Sequence, residues 1–406
     1  MRDRKPVGTP VRTCNALDVA LVAPWFQMIT KHHTMAPHLT RAPRGLELRR
    51  RGTNNHRTVL GLALALSVLA TPGASWAQSE ERASLQPDRR NLALWPEDYQ
   101  AFIGRWGGPR FVTVNIGGGR TAEMHYVDTD PGNRKKDSVL FVHGIQTHTY
   151  LWREQISALH QAGLRVIAVD SIGYGQSDRP SPAHFAYTAQ AQADEIREFV
   201  SKVKIDDIHL VAHDAGGSIG LLYAEANPGK IASITVFEAI FTTIPSPEQL
   251  PPSFRQLLEF LESPAGPDVA RSGPFLNSIR FLVSDPTTIT DEELETYLFP
   301  WQDPEDRLIW LPAVDGLPLE DRGIRRDIRP FRKIERYLQH HPVPKLVFDL
   351  SPGLFSALET DLPSGELVRV PEFARRTFCN VRVENIANSI HFSQEDQTSE
   401  FTRKLV

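Results

Sequence analysis

The chain has few cysteines and little net charge, and each shortage excludes a class of protein. Two cysteines, Cys14 and Cys379, are too few for a disulfide framework. No spacing of cysteine and histidine is typical of a structural zinc site, and the sequence implies neither a metal nor an organic cofactor. A net charge of −4 argues against nucleic acid as the main partner. What remains is an ordinary globular composition, 41% hydrophobic and 23% charged over 406 residues.

The chain also lacks an apolar run long enough to span a bilayer. Residues 59–70 form an apolar run of about twelve residues, after a basic stretch without sustained periodicity. Arginines precede this run, and the small residues Ala74–Ala77 follow it as a cleavage site. This layout predicts a signal peptide over about 49–77 and export to the periplasm or the medium. The alternative interpretation is a buried helix of the domain. After cleavage, we expect no stable membrane span.

The rest of the chain alternates apolar strands with helical patterns. Two alternating runs around Gly117–Gly119 predict a β-hairpin. Further strands are predicted at 138–143, 164–170, 208–213 and 232–238, and helices at about 150–162, 188–203 and 216–227. Strands separated by helices predict parallel pairing, with both faces of the sheet buried.

This alternation breaks after residue 243. Residues 245–340 have helical periodicity, many prolines and no strong strand, which is typical of a helical cap. Strands resume at 344–350 and 380–385, and a last helix is expected over 395–405. The predicted fold is α/β, with a mostly parallel central sheet, helices on both faces and an inserted helical cap. The predicted divisions are leader and signal peptide 1–77, core 78–243, cap 244–340 and core 341–406.

Asp214 ends an apolar strand and precedes small residues that open a helix. A strand, a sharp turn and a helix form the nucleophile elbow of α/β hydrolases, normally written G-x-S-x-G. Here Ala212 replaces the first glycine, and a carboxylate replaces the hydroxyl. A carboxylate that attacks a saturated carbon makes an alkyl ester that water can cleave, whereas a serine would make an ether. Asp214 is therefore the predicted nucleophile, although an aspartate here can also simply cap the helix.

Polar or glycine-rich loops follow four of the predicted strands, and α/β sheets bind ligands at that edge. These loops cover residues 143–153, 170–180, 213–217 and 388–396. The last loop carries His391 just past the final strand. A nucleophile first and a histidine last is the chain order of α/β hydrolases, with an acid expected between them.

Together these loops resemble those of the haloalkane dehalogenases, from about residue 95 to residue 405. The matching pieces occur in the family's order: His143-Gly-x-x-Thr-x-x-Tyr-Leu-Trp-Arg, Asp170-x-Ile-Gly-x-Gly-x-Ser-Asp, His213-Asp-x-Gly, Phe237-Glu-Ala-Ile, Tyr297…Pro300…Asp303-Pro…Asp306-Arg, Pro342-Val-Pro-Lys-Leu and His391…Gln394-Glu-Asp. The resemblance implies a hydrolase of the α/β-hydrolase fold that cleaves an alkyl–leaving-group bond. We expect a monomer whose partners are a small apolar organic substrate and water.

The resemblance also implies the role of each catalytic residue. Asp214 matches the nucleophile, and His391 matches the base that activates water against the ester. Glu238, at the end of the strand after the elbow, matches the acid of an Asp-His-Glu triad, which orients the histidine. Asp349, after the next strand, is the alternative acid, because other branches of the family place it there.

Two positions depart from the family's pattern. The backbone N–H groups of Ile145 and Ala215 would form the oxyanion hole. Haloalkane dehalogenases hold the leaving halide with a Trp directly after the nucleophile and often an Asn after His-Gly. Ala215 and Ile145 occupy those places, and neither side chain can donate a hydrogen bond. Gln146, Trp301 and Trp310 are the candidate replacement contacts.

These departures leave two alternative functions open. An epoxide hydrolase shares the aspartate nucleophile but protonates an oxygen that stays on the substrate. Tyr297 and Tyr337 are the candidate proton donors for that reaction. A catalytically retired, ligand-binding descendant is the other alternative, and it predicts a broken triad or a filled pocket.

Overall fold

The computed structural model describes residues 88–133, 137–319 and 327–406, which are organised around an eight-stranded sheet. Its strands are β1 (Arg110–Gly117), β2 (Arg120–Asp128), β3 (Ser138–Val142), β4 (Arg165–Val169), β5 (Ile208–His213), β6 (Ile231–Phe237), β7 (Lys345–Pro352) and β10 (Val381–Ser389). Across the sheet they follow the order β1-β2-β4-β3-β5-β6-β7-β10. The predicted leader and signal peptide lie outside the described residues.

Pairing in this sheet is mostly parallel, as predicted. Strands β1 and β2 form the predicted antiparallel hairpin, and β2 also pairs antiparallel with β4. The other neighbouring pairs, from β4 through β10, are parallel. The carboxyl ends of β3, β5, β6 and β7 therefore meet at one edge of the sheet, which positions their loops together.

Helices cover both faces of the sheet. The helices of the core are α1 (Glu97–Arg105), α2 (Arg153–Gln161), α3 (Ala189–Val203), α4 (Ala215–Ala226), α11 (Val370–Thr377), α12 (Ser393–Asp396) and α13 (Thr398–Leu405). Side chains of β3 alternate between two apolar clusters. Leu140 packs in the cluster of Phe199 from α3, and Phe141 in that of Ile156 from α2. This alternation buries both faces, as expected for a parallel strand.

The segment between β6 and β7 is helical among its described residues. Its helices are α5 (Pro252–Glu262), α6 (Gly266–Ser272), α7 (Ser278–Phe281), α8 (Asp291–Leu298), α9 (Trp310–Asp315) and α10 (Arg329–His340). One isolated bridge, between Ile244 and Leu319, joins the two ends of this insertion. The helical content agrees with the pattern in the sequence, while the cap boundaries at 244 and 340 stay a prediction.

Some elements differ from expectation. The last helix is divided at Gln397 into α12 and α13 rather than continuous over 395–405. Strands β8 (Glu359–Asp361) and β9 (Leu367–Arg369) form a separate two-stranded sheet. Each strand is too short to show an alternating pattern, so the sequence did not predict it. Within the described ranges, no helix combines the length and the apolar character needed to cross a membrane.

Candidate active site

Asp214 lies at a sharp turn between β5 and α4. Its φ of 54° and ψ of −131° are strained for a residue with a side chain. Such strain is frequent at functional sites and requires neighbours that fit closely. Gly144 and Gly216 provide that fit, since a Cβ at Gly144 would overlap the Asp214 carboxylate and a Cβ at Gly216 would overlap the carbonyl of His143. The geometry is that of the predicted elbow, without a glycine at position 212.

Backbone N–H groups bind the Asp214 carboxylate. The N–H of Ile145 donates to Asp214 Oδ1 at 2.8 Å, and the N–H of Ala215 also hydrogen-bonds to this carboxylate. Burial raises the pKa of Asp214, but hydrogen bonding to His391 outweighs it, so the net pKa is lowered. The carboxylate is therefore ionised at neutral pH. The two N–H groups predicted for the oxyanion hole converge on it.

His391 lies between two carboxylates. Its Nε2 is 3.4 Å from Asp214 Oδ2, and its Nδ1 is 3.1 Å from Glu238 Oε2. Its backbone N–H donates to the carbonyl of Leu282 in the helical insertion at 3.0 Å. Burial lowers the pKa of His391, but the hydrogen bonds to both carboxylates raise it to about 9. The structure thus brings together the three residues that the sequence singled out.

Glu238 is buried and held by a loop that the sequence did not indicate. Its Oε2 accepts the backbone N–H groups of Leu354 at 3.0 Å and Phe355 at 2.7 Å, and its Oε1 accepts that of Ser356 at 3.0 Å. Hydrogen bonds to a charged carboxylate are stronger than neutral ones. The loop therefore fixes the rotamer that presents Glu238 to His391. Backbone donors carry no residue-type signature, so nothing in the sequence marks them.

The side chain of Asp349, the alternative acid, hydrogen-bonds to Arg369 rather than to His391. Its Oδ2 accepts from Arg369 at 2.6 Å, in a partly exposed ion pair. Its backbone carbonyl accepts the amide of Asn385 at 2.9 Å. Asp349 therefore contacts a surface arginine, whereas Glu238 contacts the histidine.

Asp214 and His391 open into a largely apolar cavity of about 200 Å³. The insertion and the core both contribute to its wall. Its lining residues include Ile145, Gln146, Tyr174, Ser218, Ile240, Phe254, Leu257, Phe275, Ser278, Phe281, Leu317, Phe331, Phe355 and Phe392. An apolar wall with a few polar groups is typical of a small-molecule site. Within the described part of the chain, no group of three or more His, Cys, Asp or Glu side chains is arranged to hold a metal ion.

The three candidate leaving-group contacts occupy different surroundings. Gln146 lines the cavity. The indole N–H of Trp301 donates instead to the backbone carbonyl of Gln146 at 3.0 Å, and Arg179 stacks on its ring at 4.3 Å. Trp310 packs against Trp301 with ring centroids 5.1 Å apart. Both tryptophans are buried in the apolar core and are absent from the cavity wall, so the structure brings only Gln146 to the pocket.

The two tyrosines named for epoxide chemistry also lie outside the cavity wall. The hydroxyl of Tyr297 donates to Glu395, and Tyr337 is buried on α10. A different tyrosine, Tyr174, lines the cavity and feels the charge of Asp214, although burial is the main reason its pKa is raised. It belongs to the glycine-rich loop after β4. The position of this loop at the ligand-binding edge of the sheet is the feature of the sequence that could have indicated Tyr174.

Comparisons with known proteins agree with the fold. A family model described as the alpha/beta hydrolase fold matches residues 137–276. A haloalkane dehalogenase of Agrobacterium fabrum is 29% identical over 269 residues, which are 66% of this chain and 83% of that protein. One of Psychrobacter cryohalolentis is 33% identical over 135 residues, which are 33% of this chain and 44% of that protein.

Solved structures extend this likeness over the described fold. The crystal structure of the haloalkane dehalogenase DatA from Agrobacterium tumefaciens C58 superposes with a TM-score of 0.62 at 25% sequence identity. The match covers 74% of this chain and 95% of that one. The chain therefore has the α/β-hydrolase fold and is a hydrolytic enzyme that resembles the haloalkane dehalogenases.

Proposed function

We propose that this enzyme hydrolyses the bond between a saturated carbon and its leaving group, in the manner of a haloalkane dehalogenase, with Asp214, His391 and Glu238 as its triad. The observation that carries the proposal is the set of contacts around His391, 3.4 Å from Asp214 and 3.1 Å from Glu238. Nucleophile, base and orienting acid thus occur in one hydrogen-bonded series beside an apolar cavity.

In the first step, Asp214 attacks the substrate carbon. The N–H of Ile145 holds Oδ1, which leaves Oδ2 as the attacking oxygen. A carbon–oxygen bond forms while the carbon–halogen bond breaks, and the halide leaves with the bonding electron pair. The product is a neutral alkyl ester of Asp214 and a free halide ion.

In the second step, water cleaves the ester. His391 takes a proton from water as its oxygen attacks the carbonyl carbon of the ester, and the N–H groups of Ile145 and Ala215 stabilise the resulting oxyanion. As this intermediate collapses, the ester carbon–oxygen bond breaks, and the leaving alkoxide takes the proton from His391 and departs as the alcohol. The new carboxyl group of Asp214 then loses its proton to water, which restores the carboxylate. His391 must be neutral for this step. Formation of the ester favours neutral His391, because it removes the Asp214 charge that raises the pKa of His391.

The cavity favours a small apolar substrate. Its volume of about 200 Å³ and its wall of aliphatic and phenylalanine side chains suit short alkyl chains. The relatives' names extend the proposal to haloalkanes, with water as the second substrate. Apart from Asp214 and His391, the described residues of the wall carry no charged side chain, so the cavity offers little to a strongly charged substrate.

Epoxide hydrolysis is the second candidate, and one observation favours it. Tyr174 contributes to the cavity wall near the Asp214 carboxylate, where a hydroxyl can protonate an epoxide oxygen. Against it, neither Tyr297 nor Tyr337 belongs to that wall. A retired, ligand-binding descendant is disfavoured by the intact contacts of His391 and by the open cavity.

Halide release and diol formation, measured side by side on small bromoalkanes and epoxides, separate these candidates. We expect halide and alcohol from the wild-type enzyme and neither product from Asp214→Asn. Diol formation without halide release would favour the epoxide reaction. Binding of apolar ligands with neither product would favour the retired descendant.

We propose further that the chain is exported after cleavage near Ala77 and acts as a monomer. The apolar run at 59–70 with its small-residue site supports export. Amino-terminal sequencing of protein from the periplasm or medium tests the cleavage site, and light scattering tests the monomer. A mature chain that retains residues before 59 would contradict the first proposal, and a dimeric mass would contradict the second.

A further inference from the structure

Gln146 lines the cavity and carries a side-chain amide donor that no described protein group uses. Its Nε2 is buried and has no hydrogen-bond partner among the described residues. Burying an amide N–H without a partner costs about 1–3 kcal/mol. Such a group in a ligand cavity is a place where an acceptor on the ligand would be bound.

Contacts on both sides of Gln146 fix its orientation. The hydroxyl of Ser278, from the helical insertion, donates to Gln146 Oε1. The indole N–H of Trp301 donates to its backbone carbonyl at 3.0 Å, and the residue adopts a φ of 69°. Because Ser278 holds the amide oxygen, the amide nitrogen is the atom left for the ligand.

The other polar side chains of the cavity wall are already engaged. The hydroxyl of Ser218 donates to the carbonyl of Ile240 at 2.8 Å, and that of Tyr187 donates to the carbonyl of Pro180. Tyr174 shares a hydrogen bond with Gln192, and His391 with Glu238 and Asp214. Among the described lining residues, the Gln146 amide is the donor that no protein group satisfies.

We infer that Gln146 donates its amide N–H to the leaving group as negative charge develops on it. The inference rests on the proposed function. Ile145, at the preceding position, binds Asp214 only through its backbone N–H. Gln146 would thus supply the donor that the side chains at 145 and 215 lack. The leaving group takes the bonding electrons from carbon and departs as a halide anion, which accepts the N–H bond.

The first reaction step can be isolated to test this role. A His391→Ala variant lacks the base for ester cleavage, so the alkyl ester on Asp214 should accumulate and be measurable by intact-protein mass spectrometry. In this background, the rate of adduct formation is compared for 1-chlorobutane, 1-bromobutane and 1-iodobutane. Gln146→Met removes the donor at similar volume, and Gln161→Met makes the same change on an exposed face of α2.

We expect Gln146→Met to slow adduct formation on the order of a hundredfold for 1-chlorobutane. The effect should be smaller for 1-bromobutane and smallest for 1-iodobutane, since iodide leaves most readily and accepts the weakest hydrogen bond. Gln161→Met should leave all three rates unchanged. Gln146→Glu, which keeps the shape but repels an anion, provides a second variant and should behave like Gln146→Met. Thermal melting of each variant checks that it is folded.

The outcomes separate this inference from the proposed function. If the His391→Ala protein forms the adduct at the same rate with and without Gln146→Met, the proposed role of Gln146 is overturned. The assignment of Asp214 as the nucleophile would still stand. An equal loss for all three haloalkanes would also overturn it, because altered substrate positioning does not depend on the leaving group. No adduct in the parental His391→Ala protein, with any haloalkane, would overturn the proposed function itself.

Discussion

Glu238 and His391, 153 positions apart in the chain, meet at 3.1 Å between Oε2 and Nδ1 in the buried part of the site. A carboxylate can only accept, so Nδ1 carries the proton and Nε2 is left facing Asp214. Three backbone N–H groups hold the carboxylate in this position. When His391 is neutral, this relationship therefore selects one tautomer of the imidazole and one direction for its basic nitrogen.

Glu238→Gln tests this relationship. The amide keeps the shape but removes the charge, so the imidazolium formed during ester cleavage loses its stabilisation. We expect ester cleavage to slow by about 10²–10⁴-fold, so that the alkyl-enzyme accumulates in rapid-quench experiments while its formation is less affected. Asp349→Asn is the matched control, and we expect it to alter neither step more than a few-fold. A larger effect at Asp349 would reverse the assignment of the acid.

The raised pKa of His391 yields a second prediction. In the folded enzyme, hydrogen bonds to Asp214 and Glu238 overcome burial and raise the pKa to about 9. Asp214→Asn removes one negative charge, as esterification does, so we expect His391 to titrate at lower pH in this variant. Histidine NMR resonances followed between pH 5 and 10 measure the change. An unchanged titration would mean that Asp214 does not control the charge of the base.

The same shift affects stability. A group whose pKa is raised on folding stabilises the fold below its unfolded pKa, and this contribution is lost as pH rises through the folded value. The wild-type protein should therefore lose more thermal stability than Asp214→Asn between pH 7 and pH 9.5. Parallel melting curves at both pH values would contradict the predicted linkage.

The sequence indicated which residues form the candidate site, but not the contacts that hold them. Asp214 and His391 could be located because each follows a strand whose carboxyl end must reach the same edge of the sheet. Glu238 followed from the same argument and from the family resemblance. The N–H groups of Leu354 and Phe355 could not be predicted, because any residue type supplies a backbone donor.

Side-chain orientation in the insertion was also beyond the sequence. Trp301 has the indole N–H expected of a leaving-group donor, yet that N–H is bound to the carbonyl of Gln146. The pairing depends on how the insertion packs on the core, and helical periodicity carries no information about packing partners. Likewise, Ser278, which is 132 residues away, binds the amide oxygen of Gln146 and leaves its amide nitrogen without a protein partner.

Gly144 should be essential to the position of Asp214, the proposed nucleophile. A Cβ there would overlap the Asp214 carboxylate, so Gly144→Ala must displace Asp214 or the loop that carries Ile145. We expect activity to fall by about 10²-fold or more, since small displacements of reacting groups have effects of this size. Gly104→Ala, on α1 with open space around it, should retain full activity and gain stability. Halide release and urea unfolding of both variants provide the test, and an active Gly144→Ala would contradict this packing argument.

Arg153 should account for much of the attachment of the insertion to the core. This side chain, at the start of α2, donates to Glu395 at 2.6 Å and to Glu293 of the insertion at 2.6 Å. The buried carboxylate of Glu395 loses its cationic partner in Arg153→Met, so this variant should lower the free energy of unfolding by about 3–5 kcal/mol. Arg197→Met breaks an exposed pair on α3 and should change it by less than about 1 kcal/mol. Urea unfolding of both variants measures the difference. Equal, small losses would mean that apolar packing, rather than this ionic cluster, joins the insertion to the sheet.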